Sequence, residues 1–237
     1  HSAKSGKSII GINESDSIST EKIEDLKEFS KKNKDKLIIG YISYDTCYEL
    51  LEIKQHSKDD INLPKIHFKA YKEWIEIEEN KVIKGKKLYE KIYKLSNQKS
   101  EPKNSSKNFK ATITKAKYDK AYKQIQKYIE EGDIYQVNLT HRLEGESKAN
   151  PRKLFKKVIA KNPVNHLAYI EGEDFEILSA SPERFIRINK NIIETKPVKG
   201  TRPRGKTEKE DRQMQKELIE SKKEAAELNM ITDLLRN

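Results

Sequence analysis

Apolar residues along this chain arrive in short bursts whose spacing switches between the two periods of regular structure. Lys36 to Tyr44 (KLIIGYISY) and Lys65 to Tyr71 read as strands, and Trp74 to Ile83 alternates on either side of Glu79-Asn80 as a hairpin does. A helix is predicted over Glu21 to Lys32. The stretch Ser96 to Lys110 (SNQKSEPKNSSKNFK) has no apolar period and contains Pro102, which reads as a linker and sets a boundary near residue 105. The chain therefore divides into residues 1–105 and 106–237. Beyond the linker, Tyr118, Ala121, Tyr122, Ile125, Tyr128 and Ile129 recur at helical spacing, and Gly132 stands where a C-terminal cap belongs. Five strand-like runs follow: Ile134 to Arg142, His166 to Glu171, Phe175 to Ser181, Arg184 to Asn189 and Asn191 to Pro197. The last four are separated by turns as short as Asn189-Lys190, so their neighbours are antiparallel. From Thr207 on there is no Gly or Pro, and Glu, Lys, Ala, Leu and Met predict one or two helices. The class is α+β, helices covering mainly antiparallel sheet. No period of a solenoid or propeller occurs.

Composition narrows this picture. Charged residues make up 37% of the 237 and apolar ones 34%, yet the apolar residues are gathered into periodic runs, so a folded chain is expected. The longest nearly apolar run, Leu37 to Ile42, falls far short of the roughly 20 residues that cross a bilayer, so no membrane partner is expected. The net charge of +11 invites a nucleic-acid reading, but no basic tail is present and no Arg precedes Arg142. Lysines scattered among Glu and Asp read as a solvated surface, with a Lys-rich RNA-binding module as the alternative. The one cysteine, Cys47, excludes an internal disulfide scaffold and fits a reducing cytoplasm. His1, His56, His67, His141 and His166 show no metal-binding spacing, and no Walker loop, dinucleotide glycine fingerprint or nucleophile elbow occurs. The chain opens on His and closes in a helical pattern without a stop signal. That reads as an internal fragment, truncated at both ends.

Three segments suit chemistry. In Ser179 to Phe185 (SASPERF), Pro182 forces a break between two strands and turns Glu183 outward, where a carboxyl acts as a proton donor or pairs with a neighbouring Lys or Arg. In Glu194 to Arg204 (ETKPVKGTRPR), Lys199 ends a strand, Gly200 lets a ligand approach the backbone, and Thr201 offers a hydroxyl and an N–H. A lysine amine is almost wholly protonated at neutral pH, so a nucleophilic role demands desolvation or nearby cations; a mobile loop is the alternative. In Lys222 to Asn237, Glu224 and Glu227 share a helical face beside an apolar stripe, two hard oxygen donors that suit Mg²⁺ or else pair with lysines such as Lys223.

In this order, GDIYQVNLT (Gly132 to Thr140), SASPERF, ETKPVKGTRPR, Glu210-Asp211 and KEAAELNMITDLLRN (Lys223 to Asn237) resemble the chorismate-utilising enzymes, and GYISYD (Gly40 to Asp45) is similar to a motif of that family's amino-terminal part. The resemblance implies two packed, mainly antiparallel sheets with outer helices and a cleft for chorismate and Mg²⁺. Residues 106–237 would form the amino-terminal half of the catalytic domain. Lys199 matches the family lysine that adds to the substrate ring in the aminodeoxychorismate-forming branch; anthranilate and isochorismate synthases, the alternative branches, typically have alanine there. Glu183 matches the general acid, Gly200 and Thr201 match substrate contacts, and Glu227 matches a Mg²⁺ ligand. Glu224 matches a nearby carboxylate that holds a metal-bound water. A glutamine amidotransferase subunit would supply ammonia. The sequence departs from the family at Leu228-Asn229, on the metal helix, and at Asn165-His166, beside the pocket where some relatives hold tryptophan; no tryptophan site is expected.

Overall fold

The computed structural model describes residues 6–56, 59–95 and 106–236, so His1 and most of the Ser96–Lys110 stretch lie outside the described residues. Contacts gather the chain into two compact units, residues 1–97 with 157–237, and residues 98–156.

The first unit opens with β1 (Ser8–Thr20), α1 (Ile23–Lys32), β2 (Leu37–Ile42), a short α2 (Thr46–Leu50), β3 (Ile66–Glu78), β4 (Lys81–Lys84) and α3 (Lys86–Leu95). β3 is the centre of a four-stranded sheet in which β1 and β2 flank it and β4 pairs with its end. All three pairings are antiparallel. Ile66, Ala70 and Ile75 of β3 are buried, which makes this strand the core of the unit. The β3–β4 turn is the expected Glu79-Asn80, with φ of 48° and 64°, the left-handed pair that a two-residue hairpin favours.

α1 has acidic Glu24 and Asp25 in its first turn and Lys31 and Lys32 in its last, an order that matches the helix dipole. It buries Phe29. The fully buried Asn33 then donates to the Phe29 carbonyl at 3.0 Å and to Asp16 at 2.9 Å, tying the helix end to β1.

The second unit contains β5 (Ser106–Ala111), α4 (Lys115–Glu131), β6 (Leu143–Ser147) and the start of α5 (Pro151–Lys161). Thr114 caps α4 by accepting from Lys117 N–H, and Gly132 closes it at φ +82°. The run Ile134–Arg142 is not a strand, contrary to its alternating pattern: it has no ladder partner among the described residues. Val137 and Leu139 instead line a groove with Tyr118, Tyr122 and Ile125 of α4, and the Tyr118 hydroxyl donates to the Leu139 carbonyl. The regular strand starts only at Leu143, paired with β5.

The chain then returns to the first unit through β7 (His166–Glu171), β8 (Glu176–Ser181), β9 (Arg184–Asn189), β10 (Ile192–Lys196), α6 (Glu208–Glu220) and α7 (Lys222–Arg236). β7 pairs with β8 and β9 with β10, both antiparallel. At the β7–β8 tip, Phe175 meets His67 edge-on at 5.3 Å and Tyr41 at 6.1 Å, so this hairpin packs on the four-stranded sheet. The architecture is α+β with antiparallel sheets throughout, as the pattern predicts.

Candidate functional site

The residues singled out for chemistry sit on the β8–β9 corner, on the strap between β10 and α6, and on α7. Pro182 ends β8 as expected. The Ser181 hydroxyl bonds the Glu183 N–H and carbonyl at 3.3 and 3.1 Å, which fixes the corner and leaves the Glu183 side chain exposed. The next hairpin is held by an Arg184–Glu194 ion pair that links β9 to β10. Burial pushes the Glu194 carboxyl up, but Arg184 and Lys196 outweigh it and leave it below the usual carboxylate range.

The strap leaves β10 through Pro197 and runs to Thr207. Lys199 is half-buried, and among the described residues its ammonium has no hydrogen-bond or ion-pair partner. Gly200 adopts φ +79°, a left-handed conformation that a side chain would strain. A Cβ there would also lie 2.7 Å from Leu218 Cδ1 of α6 and 3.1 Å from Glu224 Oε2 of α7. The missing side chain is therefore what lets the backbone beside Lys199 reach the Glu224 carboxylate.

Arg202 closes the contact. Its Nη1 donates to Glu224 Oε1 at 3.0 Å and to the Thr201 carbonyl at 2.9 Å. The Glu224 side chain is 15% exposed and that of Arg202 31%. Three residues on, Glu227 faces Lys223 at 3.8 Å, the pair that helical spacing anticipates.

The far end of the strap is fixed separately. Arg204 forks onto Asp211 with both distances 2.6 Å, and the Gly205 N–H donates to the same carboxylate at 3.0 Å. Arg204 and then the Gly205 N–H hold the Asp211 carboxyl below its ordinary range. Thr207 and Glu210 complete a reciprocal capping box at the start of α6. This strap is a tied connection, not a free loop.

The structure thus joins Gly200, Arg202 and Glu224, with Lys199 and Thr201 as their chain neighbours, and puts Glu227 one turn along α7. Glu183 stands at the β8–β9 corner, bonded to Ser181. Among the described residues no group of three or more metal-ligating side chains occurs. The donor set nevertheless fits a hard cation: two carboxylates on one helix face, one of them shielded and pressed against a glycine cradle that a Cβ would fill. Sequence reasoning passed over Arg202 because its partner lies 22 positions away; the one available signal was an Arg beside a Gly-Thr turn.

A model of the chorismate binding enzyme family matches residues 2–237. The chain belongs to that family. Among curated chorismate-utilising relatives, aminodeoxychorismate synthase component 1 of Bacillus subtilis (strain 168) is 31% identical over 220 residues, which cover 84% of this chain and 47% of that protein. Anthranilate synthase component 1 of Aquifex aeolicus (strain VF5) is 35% identical over 131 residues, 55% of this chain and 26% of that protein. The crystal structure of anthranilate synthase component I from Streptococcus pneumoniae TIGR4 superposes with a TM-score of 0.81 at 24% identity, covering 98% of this chain and 60% of that one. The fold is therefore that of anthranilate synthase component I. The chain spans about half the length of the curated relatives it matches over most of its residues. Both activities occur among the names of these relatives, so the comparisons identify a chorismate-utilising family without choosing a branch.

Proposed function

We propose that this chain is part of an aminodeoxychorismate synthase component I, which converts chorismate and ammonia to 4-amino-4-deoxychorismate in the cytoplasm. The observation that carries the reading is Lys199 immediately before a left-handed glycine whose backbone abuts the Glu224 carboxylate. An alanine there, as anthranilate synthases have in the resemblance, offers no amine. Residues 1–105 form the amino-terminal part and residues 106–237 the first half of the chorismate-binding part. A glutamine amidotransferase subunit supplies the ammonia.

Glu227, with Glu224 beside it, would hold Mg²⁺, whose bound charge neutralises the ring carboxylate of the substrate. The backbone of Gly200 and the hydroxyl of Thr201 orient the ring. The Lys199 amine forms a C–N bond to the ring while the bond to the departing hydroxyl breaks; that oxygen takes the Glu183 proton and leaves as water. On bonding, the amine nitrogen passes a proton to solvent, and on leaving it takes back the equivalent of the proton that the incoming ammonia nitrogen sheds. Ammonia then forms the second C–N bond and releases Lys199, so the product retains one new amino group.

The test is product analysis of the full-length protein supplied with chorismate, Mg²⁺ and ammonia. The expected product is 4-amino-4-deoxychorismate, lost in Lys199→Ala, with Glu183→Gln slower by about 10²–10⁴-fold. Without ammonia, mass spectrometry should find a chorismate-derived adduct on the peptide containing Lys199. Anthranilate or isochorismate as the product, or full turnover by Lys199→Ala, would overturn the assignment.

A further inference from the structure

Two arginines of the strap meet carboxylates in different ways. Arg204 uses two nitrogens on the two oxygens of Asp211, at 2.6 Å each, the forked geometry that makes the strongest arginine–carboxylate pairs. Arg202 uses one nitrogen, and divides it between the Thr201 carbonyl at 2.9 Å and Glu224 Oε1 at 3.0 Å. The other oxygen, Oε2, is left toward the space beside Gly200. Of the two pairs, the forked one is held by two bonds to its carboxylate and the other by a single shared nitrogen.

The Glu224 side chain is only 15% exposed, and a shielded carboxylate without a countercharge is costly. Arginine stays charged across the accessible pH range, so it provides that countercharge unconditionally. A divalent cation reaching the same carboxylate meets a positive charge already in place.

We propose that Arg202 is a counterion that stands in for the divalent cation at Glu224, and that cation binding proceeds by exchange: the guanidinium releases Oε1 as the cation arrives. This rests on the reading above, in which Glu224 borders the metal site. Arg202 is a positioning residue here. It keeps the carboxylate oriented and neutralised in the metal-free chain, and it sets the cation concentration at which the site fills.

Mn²⁺, titrated into the full chain and followed by the electron paramagnetic resonance of the free ion, tests this without any turnover. Arg202→Gln removes the competing charge and should tighten Mn²⁺ binding by about tenfold. Arg202→Lys keeps the charge and should bind close to the unaltered chain, while Arg202→Gln,Glu224→Gln should lose the gain. Circular dichroism establishes that each variant is folded. In the unaltered chain, Mg²⁺ should shift the Arg202 side-chain resonance. Equal Mn²⁺ affinity in the unaltered chain and Arg202→Gln, with loss in Glu224→Gln, would overturn the exchange and leave the metal assignment standing. Binding indifferent to Glu224→Gln but lost in Glu227→Gln would overturn the exchange alone, and failure of every version to bind Mn²⁺ would overturn both.

Discussion

At Gly200 two costs of a side chain coincide, and a second glycine separates them. Gly200 and Gly132 have nearly the same left-handed φ, 79° and 82°. A Cβ at Gly132 would meet nothing within 4 Å, whereas at Gly200 it would meet Leu218 and Glu224. Gly132→Ala should therefore lose about 1–2 kcal/mol for the conformation alone. Gly200→Ala should lose more, because Leu218 or Glu224 must also move. Chemical denaturation of both variants measures the difference, and equal losses would mean that the strap does not press on α7 as described. The signature Pro-Val-Lys-Gly-Thr was legible in the sequence because its residues are contiguous and its glycine has a conformational reason. The neighbours of Gly200 were not, since Leu218 and Glu224 reach it only through the packing of two helices against the strap. Whether a carboxylate faces solvent, a lysine or an arginine is settled by such approaches, as the different partners of Glu224 and Glu227 illustrate.

Among the elements, α6 depends on its first turn. The capping box of Thr207 and Glu210 satisfies N–H groups that the helix leaves open, and Asp211, in the same turn, anchors Arg204 and Gly205. Thr207→Ala should lower stability by about 0.5–2 kcal/mol. Amide hydrogen exchange should rise first at Lys209 to Asp211, and Thr207→Ser should restore protection. An unchanged exchange pattern in Thr207→Ala would show that the Arg204–Asp211 fork alone holds this turn. Such caps explain which elements could be read in advance. α4 announces itself through a clean helical period and a terminal glycine, and the β3–β4 hairpin through Glu79-Asn80. β1 escaped because Asn13, at φ +53°, and a register shift between Glu14 and Asp16 interrupt its alternation; the long ladder to β3 makes it a strand. α5 also escaped, although Asn150 accepts from Lys153 N–H and Pro151 stands at the first helical position, a recognisable start. Ile134 to Arg142 alternates without becoming a strand, because alternation describes a half-buried extended chain and leaves open whether a ladder partner is present.

On the scale of the molecule, the first unit converges on His67. This imidazole is 3% exposed, bonds Ser19 of β1 through Nδ1 at 2.9 Å, and lies against Tyr41 of β2 and Phe175 of the β7–β8 tip. Burial, followed by the positive charge of Lys69, holds the His67 pKa below its ordinary 6.5, against the opposing pull of the Glu171 backbone and of the Glu14 and Glu173 carboxylates. The folded chain therefore binds fewer protons at this ring than the unfolded one, and stability must rise with pH across the interval between the two pKa values. As pH falls below about 6.5, the unfolded state takes up the proton first and the native state loses ground, until the depressed folded pKa is passed. Carboxylates held low by partners, such as Glu76 beside Trp74 and Lys7, are also lost in acid, but only below their unfolded value near 4.5. A loss of stability between about pH 6.5 and 4.5 is thus assignable to histidine. Urea unfolding at pH 7.5 and 5.5 should show it, and His67→Phe, which keeps a ring against Tyr41 and Phe175 but cannot titrate, should flatten the difference between the two values. A slope unaltered in His67→Phe would place the responsible proton elsewhere, and the junction of the β7–β8 hairpin with the four-stranded sheet would then be held by packing without sensitivity to pH.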